Sequence, residues 1–145
     1  MFFEPYQLDA KLSYTWVDAE IEGGAFDGSK IPLVPEDKLR LSVEYRPSDP
    51  VLIVLGATFT DQVYVGSDFD NTESQLSDYL LWDLLVRYQI NDNLSIFVTT
   101  ENLTYEEYIT TAFGPDALYP GVGRSGRAKR GSPIILVFVK LPILW

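Results

Sequence analysis

The carboxylates are the first candidates for chemistry. Asp68, Asp70, Asn71 and Glu73 crowd oxygen-bearing side chains into one short polar stretch. Oxygen-rich loops of this kind can hold calcium. The spacing departs from the EF-hand pattern, so the stretch reads as a solvated loop. Glu101, Glu106 and Glu107 form a second acidic group. Paired carboxylates can divide acid and base roles, but nothing in this spacing makes the three converge, and no nucleophile accompanies them. Histidine and cysteine are both absent. That removes the commonest general base and metal ligand, thiolate chemistry and any disulfide framework. No catalytic residue, metal ligand or cofactor is assigned, and the chain is expected not to be an enzyme.

Two further groups could bind rather than react. Arg124, Arg127, Lys129 and Arg130 make a short basic patch, suited to phosphate on lipopolysaccharide or nucleic acid and read here as a solvated loop. The net charge of −10 argues against nucleic acid, because phosphate recognition wants a basic face. The stretch from Tyr105 to Tyr119 is rich in tyrosine. Such rings stack on organic ligands or form the aromatic belt of a membrane protein.

The elements that must position these groups are strands. From Tyr6 to Trp16 the alternation is complete: Tyr6, Leu8, Ala10, Leu12, Tyr14 and Trp16 share one face, and Gln7, Asp9, Lys11, Ser13 and Thr15 the other. A period of two is the signature of a strand. After Trp16 the phase flips to Val17, Ala19 and Ile21, which predicts a bulge or the point where the chain leaves a membrane. Lys38–Arg46 alternates again. Val51–Gly66 is predicted as a long strand, Tyr79–Ile90 as the next, and Leu94 to about Glu106 as another. No helix of useful length is expected. Long loops fall at Glu22–Asp37, Ser67–Ser77 and Tyr105–Arg124, and short turns at Pro47–Pro50 and Asn91–Asn93. Long loops on one rim and short turns on the other suit a transmembrane β-barrel. A soluble antiparallel meander can share that rhythm.

Composition fits the same picture. Of 145 residues, 46% are hydrophobic and 14% aromatic, yet mean hydropathy is only +0.01, so apolar residues are interleaved with polar ones. No apolar run reaches the roughly 20 residues of a spanning helix. The first eleven residues lack the basic start, apolar stretch and small-residue cleavage site of a signal peptide. Tyr14, Trp16, Tyr45, Trp82 and Tyr88 stand on the apolar faces of their strands and are the candidate interface aromatics.

Several motifs occur in a telling order. Pro35-Glu36-Asp37-Lys38-Leu39 leads into one strand and Tyr79-Leu80-Leu81-Trp82-Asp83-Leu84 into another. The turn Asn91–Asn93, the triplet Glu101-Asn102-Leu103 and the closing Pro120-Gly121-Val122-Gly123-Arg124 follow. In order and spacing, from Tyr6 to Ser125, this resembles the C-terminal barrel portion of TonB-dependent outer-membrane receptors. After Arg124 the pattern departs. Residues 126–145 form an atypical tail, first basic and glycine-containing, then nearly all apolar. Within it, Ile134–Val139 reads as a strand apolar on both faces, as a product of a shifted reading frame, or as an aggregation-prone window.

The resemblance implies an all-β chain: an antiparallel meander of long strands, part of a transmembrane β-barrel. It implies two regions: barrel strands and extracellular loops over residues 1–125, and the tail or last strand over 126–145. Family barrels have about 22 strands, so the five or six expected here form part of a wall. It further implies an outer-membrane location and contact with lipid, with the rest of the barrel, with a plug domain and, through the plug, with TonB. The transported ligand is a bulky nutrient such as an iron–siderophore complex. Glu101, Asn102, Leu103, Pro120, Gly121, Gly123 and Arg124 are expected to build the barrel rim. Gly121 and Gly123 would supply positive φ, Arg124 would meet a rim carboxylate, and Asn102 would hydrogen-bond loop backbone. The alternative is a small self-contained β-barrel or β-sandwich that binds a partner without catalysis.

Overall fold

A computed structural model of the chain describes residues 7–114 and 117–131. Tyr6, the predicted strand at Ile134–Val139 and the rest of the tail past residue 131 lie outside the described residues. Five long strands follow the predicted rhythm: β1 (Gln7–Trp16), β2 (Asp37–Ser48), β3 (Val51–Thr60), β4 (Tyr79–Asn91) and β5 (Leu94–Glu101). Two short strands, β6 (Ile109–Ala112) and β7 (Leu118–Pro120), form a separate hairpin. The last, β8 (Ser125–Gly131), returns to the main sheet. The sheet runs β1-β2-β3-β4-β5-β8, antiparallel at each of its pairings. Among the described residues β1 and β8 are its two edges, and the sheet does not close on itself.

Register turns separate alternations into one continuous surface. Leu12 pairs with Leu41, Leu41 with Ala57 and Ala57 with Trp82. One row further along, Ala10 pairs with Val43, Val43 with Leu55 and Leu55 with Leu84. Directly paired residues share a face, so the apolar sets of β1 to β4 merge, and Val98 and Ile96 of β5 extend them. A slip of one residue in any pairing would send that strand's apolar set to the opposite side. The other face carries Lys11, Ser42 and Gly56 along one row, with Asp83 opposite Gly56. The β2–β3 ladder is irregular between Tyr45 and Ser48, where Pro47 has no N–H to offer.

Four details differ from the sequence expectation. The flip at Val17 is the end of β1 rather than a bulge: the Val17 N–H already bonds the Glu36 carbonyl across the first loop. β3 stops at Thr60 instead of Gly66. Its remaining alternation, through Val63 and Val65, is spent on an isolated bridge to Leu76 and on loop packing. β5 stops at Glu101, because Asn102 takes a left-handed backbone with φ 51°. The run after Arg124, expected either as a solvated loop or as part of a last strand, is a strand, laddered to β5 from Glu101↔Ser125 to Ser95↔Gly131.

The sheet has no interior of its own. β1 is exposed along its whole length, and among the described side chains of the six-stranded sheet only Ala57 and Thr60 are buried. The other buried residues, Pro32, Val65, Asp68, Asn102 and Ala112, all lie in the long loops and their hairpin. The dense packing of the described residues is therefore in the loop layer. A sheet with one apolar face uncovered fits a wall set in lipid rather than a water-soluble domain.

Candidate functional site

The long loops gather at one end of the sheet, where β1, β3 and β5 end and β2, β4 and β8 begin. The first loop covers residues 17–36, the second 61–78, and the third 102–124 with the β6–β7 hairpin inside it. Between the second and third lies a cleft of about 550 Å³. Its walls include Asp78, Tyr105, Glu106, Glu107, Tyr108 and Gly121.

Asn102 sets the near wall. Its Oδ1 accepts the Glu106 N–H at 2.7 Å, and its Nδ2 donates to the carbonyls of Glu106 at 2.8 Å and Val122 at 3.2 Å. Its own N–H donates to Asp83 Oδ1 at 3.1 Å. One side chain, only 3% exposed, thus ties both ends of the third loop together, while its backbone is tied to the polar face of β4. The left-handed turn at Asn102 is what aims the side chain this way, and asparagine tolerates that backbone better than most residues. Leu103 continues the anchor through its N–H to the Trp82 carbonyl at 2.6 Å.

The far wall is aromatic. Tyr108 stacks on Tyr79 with ring centroids 4.4 Å apart, and its carbonyl accepts the Gly121 N–H at 2.8 Å. A β-carbon at position 121 would lie 2.1 Å from Cζ of Tyr108. Gly121 is therefore required by close approach, not by the positive φ expected of it: neither Gly121 nor Gly123 adopts one. A β-carbon at Gly123 would meet nothing within 4 Å. The left-handed residues of this loop are instead Asn102, Tyr105 and Gly114. Arg124 likewise departs from expectation. Its guanidinium sits 5.6 Å from the centroid of the Tyr105 ring, a cation–π arrangement, and among the described residues no carboxylate pairs with it. Glu101, at the end of β5, accepts the Ser125 hydroxyl at 3.1 Å. Pro120 closes β7 and lines the cleft.

The acidic stretch of the second loop is structural. Asp68, 2% exposed, accepts the N–H groups of Thr72 at 2.9 Å and Glu73 at 3.1 Å, a local side-chain-to-backbone turn. Asn71 reaches across to the first loop. Its Oδ1 accepts the Lys30 N–H at 2.6 Å and its Nδ2 donates to the Lys30 carbonyl at 3.1 Å. The Lys30 ammonium is held by Asp18, by Glu20 at 3.2 Å and by Glu36 at 3.1 Å. Hydrogen bonds to Asp18, then to Glu36, raise its pKa above the ordinary lysine value. Glu106 and Glu107 line the same cleft, while Glu101 lies apart at the strand end. Sequence reasoning missed Asn71 and Lys30 as loop connectors and Tyr108 as the partner of Gly121. Their partners are distant in sequence, so spacing alone carries no signal of them.

The candidate interface aromatics fall in two bands on the apolar face. Tyr14, Trp16 and Trp82 lie toward the long loops, and Tyr45 and Tyr88 toward the short turns. Tyr14 also donates its hydroxyl to Asp37 at 2.5 Å.

An antiparallel wall of long strands, apolar on one face and carrying packed loops at one rim, is a section of a transmembrane β-barrel. Residues 3–103 match the family model described as TonB dependent receptor-like, beta-barrel, and the chain belongs to that family. It is 26% identical over 125 residues to the probable TonB-dependent siderophore receptor PiuA of Acinetobacter baumannii, an alignment covering 77% of this chain and 16% of PiuA. It is 29% identical over 103 residues to the catecholate siderophore receptor Fiu of Escherichia coli, covering 68% of this chain and 14% of Fiu. The chain thus spans about a sixth of the length of these relatives. The crystal structure of the A. baumannii PiuA siderophore receptor superposes with a TM-score of 0.71 at 24% identity, over 85% of this chain and 19% of that one. The closed form of Fiu gives 0.71 at 26% identity, over 85% and 18%.

Proposed function

We propose that this chain supplies wall strands and external loops of an outer-membrane receptor that imports iron–siderophore complexes or similarly bulky nutrients. The observation that carries the reading is the register-aligned apolar face beneath a rim of packed loops. Ten residues of β1 at about 3.4 Å each extend about 34 Å, and a tilt of about 40° leaves roughly 26 Å across the bilayer, close to the apolar band of such barrels. The apolar face meets outer-membrane lipid, with Tyr14, Trp16 and Trp82 at one interface and Tyr45 and Tyr88 at the other. The polar face looks into the lumen and a plug domain, and TonB engages through that plug. Neighbouring strands of the barrel cover the edges of β1 and β8, whose free backbone groups lipid cannot satisfy. In this reading residues 1–125 supply barrel strands and extracellular loops, and 126–145 the tail or last strand.

The rim motif Glu101, Asn102, Leu103, Pro120, Gly121, Gly123 and Arg124 builds the third loop, and the cleft beside it faces the ligand. Tyr105 and Tyr108 offer rings for stacking on an organic chelate. The role is binding and passage rather than catalysis, and nucleic acid is not a partner. The test is a hybrid receptor in which residues 7–131 replace the matching strands and loops of PiuA. TonB-dependent uptake of an iron–siderophore complex by this hybrid is expected. A hybrid that inserts and folds yet takes up no such complex would sink the reading.

A further inference from the structure

The three long loops meet at Gly66. Its N–H donates to the Ala112 carbonyl of the hairpin at 2.7 Å. A β-carbon there would lie 2.7 Å from Cε1 of Phe113 and 3.0 Å from Cδ1 of Leu33. A side chain from the first loop and one from the third therefore close over a backbone point of the second. Next to this joint, the Leu33 N–H bonds the Tyr64 carbonyl at 3.0 Å. Asn71 adds a two-way bond to the Lys30 backbone, its side-chain amide standing in for a strand partner.

The backbone of this layer is strained in a patterned way. Among the described residues every non-glycine with positive φ lies here: Leu33 at 61°, Asn71 at 54°, Asn102 at 51° and Tyr105 at 60°. Such conformations persist only where surrounding contacts over-determine them. Leu33 and Asn71 are the residues that reach between loops; Tyr105 lines the cleft, and Asn102 holds Glu106 of its wall. The contacts and the strain are distributed over all three loops, and so is the burial at Pro32, Val65 and Ala112.

We propose that the three long loops form one cooperative unit, none displaced without the other two, with Gly66 as the joint and the Asn71–Lys30 pairing as the latch. The first loop does not line the cleft between the second and third, so the joint and latch make it respond to whatever occupies that cleft. The inference concerns the loops of this chain alone and stands apart from the identity of the transported nutrient.

Amide hydrogen exchange on the PiuA hybrid carrying residues 7–131, in outer-membrane vesicles, tests it. Asn71→Ala removes both bonds to Lys30 and is expected to speed exchange roughly ten-fold. The faster exchange should appear at the amides of Gly66 and Phe113, which Asn71 does not touch, as well as at Lys30. Faster exchange confined to Lys30 and the residues flanking position 71 would overturn the proposal. Phe113→Ala provides the converse reading and leaves the latch intact. It is expected to speed exchange at Lys30, across the joint, and an unchanged Lys30 amide would count against the unit even if Asn71→Ala failed to fold.

Discussion

The ring of Tyr108 occupies the space that a β-carbon at position 121 would need, and it is pinned there by Tyr79 at 4.4 Å. Gly121→Ala therefore cannot be absorbed by a small rotation: Tyr108 must leave its stack or the third loop must shift. Overpacking of this kind costs about 1–3 kcal/mol. Gly123→Ala, with open space and no positive φ, is expected to stay within about 0.5 kcal/mol of the parent. Denaturant unfolding of the two variants compares them directly. The double variant Gly121→Ala/Tyr108→Ala should be little worse than Tyr108→Ala alone, because the clash partner is gone. Additive losses would place the strain elsewhere.

Asn102 couples a backbone requirement to a hydrogen-bond requirement, and two substitutions separate them. Asn102→Gly keeps the left-handed turn at φ 51° but loses the bonds to Glu106 and Val122. Asn102→Ala loses both. Losing these bonds in a buried position costs about 2–3 kcal/mol, and the alanine backbone penalty adds about 1–2 kcal/mol. Chemical denaturation should rank parent above Gly above Ala. An alanine variant as stable as the glycine variant would remove the backbone from the account.

How far these features were legible in the sequence depends on the distance over which they are enforced. The alternation of Lys38–Arg46 and Tyr79–Ile90 is local, and both became strands at almost those bounds. The short turns at Asp49–Pro50 and Asp92–Asn93 were equally local. Val63 and Val65 carry the same alternation as β3, yet the chain leaves the ladder at Asp61, whose N–H turns to the Asp37 carbonyl. Here tertiary contacts overrode a valid period-two signal. For β8 the sequence left loop and last strand open, because Gly126 and Ala128 are too small to mark an apolar face, and its pairing with β5 is a backbone ladder. At the site, the sequence order singled out Asn102 and Gly121, and Asn102 does hydrogen-bond loop backbone. The reason for Gly121 was not legible, because it is the ring of Tyr108 rather than a turn.

The Lys30 cluster makes a pH prediction with a definite sign. The folded-state pKa of Lys30 is raised by the hydrogen bonds to Asp18 and Glu36. The stabilisation is thus fully present below the unfolded lysine value of about 10.4 and is lost as pH rises through the folded one. From Lys30 alone, protection of the first loop against proteolysis should be flat across neutral pH and fall only in strong alkali. Lys30→Met should remove the alkaline step and weaken protection already at neutral pH, because Asp18, Glu20 and Glu36 then face one another without a cation. An unchanged alkaline step in Lys30→Met would assign it to other groups.

The assignment of the two faces is tested by adjacent residues of β2. Val43 lies on the apolar face, between Ala10 and Leu55, about midway along the strands. Ser42, its neighbour, lies on the polar face opposite Lys11 and Gly56. Because side chains alternate, one residue of displacement exchanges lipid for lumen. Val43→Arg places a guanidinium near the middle of the bilayer, where the cost on a barrel's lipid face is about 2–4 kcal/mol. Ser42→Arg places the same group on a face already holding Lys11, Arg40 and Asp83, beside the space left by Gly56, and is expected to be tolerated. Protease-protected folding into phospholipid vesicles, with the chain carried in the PiuA hybrid, reads the difference. A large loss for Val43→Arg with near-parent folding for Ser42→Arg fits a wall in lipid. The reverse order would turn the sheet inside out, and equal losses would mean that neither face meets a bilayer.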